Sequence, residues 1–369
     1  MPHHGPLTVA FVSTEAQWHG GEEQARLLAD GLRQRNHRVA ILARRGGAFA
    51  ERIAAEGHAV LPFGGSGRSP AAIWHLRRGL RQLRPDVLHA NDAHALTAAG
   101  LASLGLGIPA RVASRRVVFP IRLPLRYRAF CDRLICVSSR VAEVCRESGI
   151  PPRLLCVVHD GVDPQRIASG DRGRGRRALG VSDADRALLT VAKLTDAKGH
   201  RFLLDAMPAV LRRHPVARLF LAGDGELAQS LRTQAKNLGI EAAIRFLGYR
   251  NDVPDLIHAA DLFVFPSYME GMGSTLIDAM LAGVPIVTTT AGGIPDVIGA
   301  SGPASEPTAW TVPPCDPGAL AAAILQALQS PEECELLRQR ARRRAEQHFT
   351  AARMVEATLE VYREMLRPT

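Results

Sequence analysis

Along nearly its whole length the chain alternates short apolar runs with stretches of helical period, and that alternation leaves few architectures open. In the first half, residues 7–13, 38–43, 86–90, 110–114 and 133–137 read as buried parallel strands. Residues 22–35, 70–83, 93–104 and 139–148 read as the helices between them. Parallel strands joined through helices make right-handed crossovers, and ligands gather at the carboxyl ends of such strands. The rhythm breaks over residues 164–185, PQRIASGDRGRGRRALGVSDAD, where Gly, Arg and Asp replace large apolar side chains, as in a linker or surface crossing. It resumes with strands at 187–192, 217–222, 243–247, 261–265 and 285–289 and helices at 199–213 and 228–238. A chain of 369 residues also exceeds what one hydrophobic core organises. The expected fold is α/β, with two Rossmann-like domains facing across a cleft: residues 1–166, a linker at 167–185, then residues 186–347. Residues 331–367, with Arg and Glu at helical spacing, supply closing helices, the last of them over 348–369.

The segment 266–296, PSYMEGMGSTLIDAMLAGVPIVTTTAGGIPD, follows the apolar strand at 261–265 and carries the densest chemistry. Glu270 and Asp278 are eight residues apart. If the chain is helical from about Ser274, Asp278 sits one turn inside the helix while Glu270 stays in the loop before it. Gly271 and Gly273 let backbone amides approach a ligand, and a helix start presents unpaired N–H groups to an anion. Four further places set polar groups at strand ends. Lys193 and Lys198 lie five apart in a strand-to-helix loop, where both can face one diphosphate and stabilise a departing nucleotide. Gly20 and Gly21 precede the first helix, where backbone can contact phosphate. His89, Asn91 and Asp92 close the strand at 86–90; His89 and Asp92 suit sugar hydroxyls or proton movement, though a satisfied core histidine is an equal reading of His89. Gly223 and Gly248 sit in loops after two later strands.

The Glu-x7-Asp spacing resembles the Glu-x7-Glu signature of the retaining glycosyltransferases of family four (glycosyltransferase group 1), whose two-domain architecture is called GT-B. The resemblance extends over nearly the whole chain, with Asp278 for the second Glu, Lys193 where an Arg is usual, Asn91 where many relatives have His, and Asp160 for the Asn of an Asn-Gly-Val-Asp turn. It implies that Glu270 contacts the donor sugar and Asp278 the ribose of a nucleotide. It further implies that Met272, Gly273, Ser274 and Thr275 approach the phosphates, and that Gly223 and Gly248 flank the base. Lys193 and Lys198 would hold the diphosphate, Gly20 and Gly21 would complete its cradle, and the last helix would return to the first domain. The implied activity is transfer of a sugar, with retained configuration, from a nucleotide-sugar to a saccharide or lipid-linked acceptor, as in lipopolysaccharide or other cell-surface glycan synthesis. Glu270, Lys198, Lys193 and His89 are the catalytic candidates; Asn91, Asp92, Arg115 and Arg116 are the acceptor-side candidates. A sugar-nucleotide epimerase of the same shape, or a non-catalytic nucleotide-sugar or phospholipid binding protein, remains an alternative.

Charge narrows the partners. The net charge of +10 is concentrated at Arg77, Arg78, Arg81 and Arg84 and at Arg111, Arg115, Arg116, Arg122, Arg126 and Arg128, the latter interleaved with Phe119, Ile121, Leu123 and Leu125. Such a mixture can rest on an anionic membrane surface or recruit an anionic acceptor; a solvated helix face is the plainer alternative. Three Trp, four Tyr and no recognisable motif disfavour nucleic acid. No run approaches the roughly 20 apolar residues that span a bilayer. The opening MPHHGPLTVAFVST lacks the pattern of a secretory signal, so a cytoplasmic location is expected, with peripheral membrane attachment as an extension. The six cysteines form no C-x-x-C pair and read as reduced thiols. Asp183 and Asp185 spell the Asp-x-Asp of metal-dependent transferases, but in the presumed linker they read as a turn. No metal and no other cofactor is expected, the positive charge coming from Lys193, Lys198 and a helix N-terminus.

Overall fold

The computed structural model describes residues 5–65, 67, 69–300 and 306–367; the first four and last two residues, at the outer ends of the expected first domain and closing helix, lie outside them. The chain divides into two compact units, one running to Gly161 and taken up again at Ala351, the other spanning Val162–Thr350.

In the first unit the order is β1 (Thr8–Ser13), α1 (Gly20–Gln34), β2 (Arg38–Arg44), α2 (Ala48–Ala55), β3 (Ala59–Phe63), α3 (Pro70–Leu83), β4 (Val87–Ala90) and α4 (Ala93–Ser103). It continues through β5 (Ala110–Arg115), α5 (Pro124–Phe130), β6 (Arg133–Cys136), α6 (Ser139–Glu147) and β7 (Leu155–Val157). The seven strands form one parallel sheet in the order β3-β2-β1-β4-β5-β6-β7, so the direction of winding reverses between β1 and β4. Helix starts follow capping chemistry: Ser69 accepts from Ala72 N ahead of Pro70, Asp92 accepts from His94 N and Ala95 N, and Ser138 accepts from Val141 N. β3 was not foreseen because it is a mostly exposed edge strand containing Pro62, and β7 because it has only three residues.

The second unit opens with α7 (Pro164–Ala168) and α8 (Arg172–Leu179), then β8 (Arg186–Val191), α9 (His200–Arg213), β9 (Ala217–Ala222), α10 (Ala228–Asn237), β10 (Ile244–Gly248) and α11 (Val253–Ala259). There follow β11 (Leu262–Phe265), α12 (Ser274–Ala282), β12 (Ile286–Thr289), α13 (Ile294–Ile298), β13 (Trp310–Val312), α14 (Pro317–Gln329) and α15 (Pro331–His348). Its six strands are parallel in the order β10-β9-β8-β11-β12-β13, and the winding reverses between β8 and β11. Leu188, Leu219, Leu221, Val264 and Val287 from the sheet meet Leu203, Met207 and Ile324 from the helices in one core.

The stretch expected as a linker is α7 and α8. Its glycines reflect close packing: a Cβ on Gly175 would lie 2.0 Å from Asp255 O in α11. Its arginines reflect pairing, with Arg174 Nη2 2.8 Å from Asp255, Arg172 Nη2 2.8 Å from Asp261, and Arg176 buried against the same Asp261. The composition was mistaken for a surface crossing because small residues and ion pairs, rather than apolar side chains, make this helix interface. Asp185 accepts from both the amide and hydroxyl of Ser182, closing a turn. The final helix, α16 (Ala351–Met365), packs on α1 of the first unit. No described helix is long and apolar enough to cross a membrane.

Candidate functional site

In the second unit the two strands beside the reversal, β8 and β11, end in loops that are zipped together through backbone. Tyr268 N and Met269 N both donate to Ala197 O, at 3.0 and 3.2 Å. Gly199, at φ 68, lets the chain pass so near that a Cβ would stand 2.1 Å from Pro266 O. Zipping these loops brings Lys198 to Glu270, Nζ to Oε2, at 2.6 Å, with the side chains 24% and 10% exposed. Phe265 lies beneath, its ring centroid 6.0 Å from the ammonium. Gly293 N holds Glu270 O at 3.0 Å, fixing the carboxylate's backbone from the other side.

α12 starts directly after Gly273, so its first-turn amides open beside this pair. Met272 is buried here, and the Thr275 hydroxyl donates to Val191 O at 3.0 Å, tying α12 to β8. Ser274 and Thr275 are the first two residues of α12, and the Thr275 hydroxyl is spent on Val191 O. Asp278 is buried one turn into α12, where Arg166 Nη2 approaches its Oδ2 at 2.7 Å. Arg166 gave no sign in the sequence because it lies in the stretch 164–185, which reads as a surface crossing. Lys193 is exposed at the end of β8. Gly223 N donates to Gly248 O at 2.8 Å, joining the loops after β9 and β10. Lys193, Lys198, Gly223, Gly248, Glu270 and the head of α12 thus all lie after the carboxyl ends of neighbouring strands, the usual ligand position in such sheets.

The first unit assembles its own polar group at the reversal between β1 and β4. Gly20 and Gly21 form the first residues of α1. Asn91 Nδ2 donates to Gly21 O at 3.3 Å while its Oδ1 accepts from Arg116 Nη1 at 2.9 Å, and Arg116 Nε donates to Asp160 at 3.1 Å. Gln24 and Gly161 bond reciprocally at 2.9 and 3.0 Å. Glu22, at 2% exposure, has its carboxyl pushed up to about 7, chiefly by burial.

Three candidates from the sequence do not fit the roles expected of them. His89 lies in the core, stacked on Phe11, with Nδ1 on Tyr362 Oη at 2.5 Å and Nε2 on Ser114 Oγ at 2.7 Å; burial drops its pKa to about 3, so it is a neutral core imidazole. Asp92 is committed to four donors, the amide and hydroxyl of Thr14 and the amides of His94 and Ala95. Arg115 is buried and braces the following loop through Phe119 O and Tyr127 Oη. Among the described residues two constellations have metal-ligand spacing, Glu15–Asp92–His94 and Asp30–Glu56–His58. The first relies on the Asp92 carboxylate already spent on backbone and Thr14, and in the second Arg26 Nη1 stands 2.7 Å from Asp30 and 3.8 Å from Glu56, where a cation would sit.

Comparison with known proteins follows the same division. The family described as Glycosyl transferases group 1 matches residues 171–344, and the one described as Glycosyltransferase Family 4 matches residues 18–166. A D-inositol 3-phosphate glycosyltransferase of Saccharomonospora viridis is 32% identical over 251 residues, 64% of this chain and 57% of that protein. The chain spans about half the length of the curated relatives it matches. Anabaena Alr3699/HepE, solved in complex with UDP and glucose, superposes with a TM-score of 0.83 at 22% identity, covering 96% of this chain and 99% of that one. WaaG, a glycosyltransferase involved in lipopolysaccharide biosynthesis, superposes with a TM-score of 0.71 at 16% identity, covering 96% of this chain and 99% of that one. With both families matched in chain order and the two Rossmann-like units in place, the chain belongs to the group 1 glycosyltransferases of GT-B fold.

Proposed function

We propose that this chain transfers a sugar from a nucleotide-sugar to a saccharide or lipid-linked acceptor, with retention of configuration and without a metal. The observation that carries the reading is the Lys198–Glu270 pair, held by backbone at the head of α12. Bond cleavage at the anomeric carbon throws negative charge onto a diphosphate. Lys198 and the α12 amides would supply positive potential at one place for that charge, and the exposed Lys193, at the exit of β8, would add to it. Glu270 would orient the donor sugar as the diphosphate draws Lys198 toward itself, and Asp278 would take the ribose. Retention rests on the Glu-x7-Asp resemblance, and a UDP-sugar donor on the ligands of the Anabaena neighbour. A role in cell-surface glycan synthesis rests on the likeness to WaaG. A thermal-shift screen with uridine, guanosine and adenosine diphosphates, followed by NMR of the product's anomeric proton, tests the reading. Stabilisation by none of them, or rapid epimerisation of the donor without acceptor, would sink it.

A membrane-bound acceptor agrees with the surface of the first unit. Eight of the twelve exposed large apolar side chains among the described residues fall between Leu61 and Leu125, including Trp74, Leu104, Phe119, Leu123 and Leu125. Over residues 57–131 the only carboxylates are Asp86 and Asp92, both committed to backbone amides, against eleven arginines. α3, α4 and α5, which carry much of this surface, pack side by side. Apolar insertion with arginines at headgroup level suits an anionic leaflet. Flotation with phosphatidylglycerol vesicles but not phosphatidylcholine vesicles, weakened in Leu123→Ser/Leu125→Ser, is the expected result; equal flotation of that variant would remove the membrane from the proposal.

A further inference from the structure

The two loops that present Lys198 and Glu270 carry a second pairing two residues earlier on each strand exit. Asp196 precedes Lys198 by two residues and Tyr268 precedes Glu270 by two, and the Tyr268 hydroxyl donates to Asp196 Oδ2. Arg201, one residue into the first turn of α9 after His200, completes the group. Its Nη1 lies 3.0 Å from Asp196 Oδ1, and its guanidinium stands 4.6 Å from the Phe202 ring centroid and 5.8 Å from that of Tyr268. Phe202 and Tyr268 meet edge to face at 6.0 Å. Half-buried rings and exposed charges therefore share one spot on the rim of the second unit, next to the Lys198–Glu270 pair.

The ion pair contributes little to stability. Asp196 and Arg201 keep 55% and 50% of their side-chain exposure, and an ion pair so open to water contributes about 0–1 kcal/mol. What the group offers besides is a half-buried ring beside two exposed planar charges, next to the loops of the proposed transfer site. The chemistry offered is an aromatic ring flanked by a carboxylate and a guanidinium, both planar and both fixed by their mutual bonds. A pyranose matches it with its C–H face against a ring and its vicinal hydroxyls across the carboxylate and guanidinium.

We infer that Tyr268, Asp196 and Arg201, backed by Phe202, form a saccharide subsite adjoining the sugar-transfer site, which holds a sugar ring next to the one being transferred. The inference rests on sugar transfer at Lys198 and Glu270, and extends it by giving the second unit a part in holding acceptor. Tyr268, Asp196 and Arg201 are binding residues here, with no part in bond making.

Saturation-transfer NMR with the methyl α-glycosides of glucose, galactose, mannose and N-acetylglucosamine as probes tests it on the full chain, beside thermal shifts with the three nucleoside diphosphates. The expected result is saturation transfer to at least one glycoside. That binding should weaken about tenfold in Tyr268→Ala and in Asp196→Asn and stay within about threefold in Tyr268→Phe, which keeps the ring. Nucleoside diphosphate shifts should remain those of the wild type in all three variants. Binding of no glycoside by the wild-type chain, unchanged binding in Tyr268→Ala, or a loss in Tyr268→Ala of nucleoside diphosphate binding instead of glycoside binding, would each overturn the subsite. Because the nucleotide shifts are read separately, a failed subsite leaves the donor site standing, and absent shifts in the wild type point to the donor site itself.

Discussion

The two units solve one topological problem in opposite ways. Each reverses its winding beside its first strand, between β1 and β4 or between β8 and β11, and each brings two strand-exit loops together there. In the first unit side chains hold the loops: Asp92 takes four donors, Asn91 links Gly21 to Arg116, Arg116 reaches Asp160, and Gln24 clasps Gly161. In the second unit backbone does most of this, through Ala197 O and the approach of Gly199 to Pro266, with the Tyr268–Asp196 bond beside them; Gly223 on Gly248 and Gly293 on Glu270 tie the neighbouring loops in the same way. A crevice held by its backbone leaves its side chains available. That difference is why Lys198 and Glu270 face each other with only one bond between them while Asp92 and His89 have none to spare. Two buried histidines repeat the lesson: His89 is bonded at both nitrogens, whereas His200, 2% exposed at the head of α9, has no hydrogen-bond partner at either among the described residues.

If that comparison holds, side-chain removal costs activity in one unit and stability in the other. Glu270→Ala and Lys198→Ala are each expected to lower turnover by about 100-fold or more while moving Tm little, because the loops stay zipped by backbone. Steady-state turnover beside a melting curve checks this, and near-normal rates in both variants would break the comparison at its strongest point. Asp92→Ala should do the reverse. Losing a helix cap together with the Thr14 bonds should cost about 2–4 kcal/mol in denaturant unfolding, with nucleoside diphosphate affinity unchanged. A stable Asp92→Ala protein with lost activity would return Asp92 to the chemistry.

The difference between the units also explains what the sequence could show. Most strand and helix identities followed from apolar period, and the loops that carry Lys198 and Glu270 drew notice because a backbone-held crevice places glycines beside charged residues, as at Lys198-Gly199 and Glu270 to Gly273. The side-chain-held crevice shows such glycines only at Gly20 and Gly21, and nothing in the sequence marks its struts. His89, Asp92 and Arg115 have the residue types of an active site, and only their partners Tyr362, Thr14 and Tyr127, 273, 78 and 12 residues away, show them to be struts. α8 was illegible for a related reason, since its contact with α11 is written in Gly175 and in arginine–aspartate pairs rather than in leucines.

Arg166 is a smaller and sharper probe. Its guanidinium meets the Asp278 carboxylate at 2.7 Å, so it orients the one acidic group inside α12. Arg166→Ala should weaken nucleoside diphosphate binding by about three- to tenfold with turnover at saturating donor nearly unchanged, a KM effect rather than a kcat effect. A kcat loss with unaltered binding would show that Arg166 acts on the reacting sugar.

The last probe concerns the most perturbed carboxyl of the first crevice. Glu22 sits buried at the head of α1, faced by Glu15 and Asp92 as well as by Arg116, and its carboxyl titrates near 7 instead of the ordinary 4.5. A carboxyl raised in the folded chain holds its proton between those two values while the unfolded chain has released it. The stability it confers is therefore complete below about pH 4.5 and lost as pH rises through about 7. Glu22→Gln keeps the shape and an acceptor for Asn91 Nδ2 but cannot ionise. The variant should match the wild type near pH 5 and exceed it at pH 8 by about 1–3 kcal/mol, since only the wild type must then bury a carboxylate. Other titrating groups are common to both proteins and cancel in the difference. Unfolding free energies measured at pH 5, 6.5 and 8 decide the matter: a gain that does not grow with pH would mean that the crevice accepts the charged form, and that the side-chain network of the first unit is polar enough to receive a ligand after all.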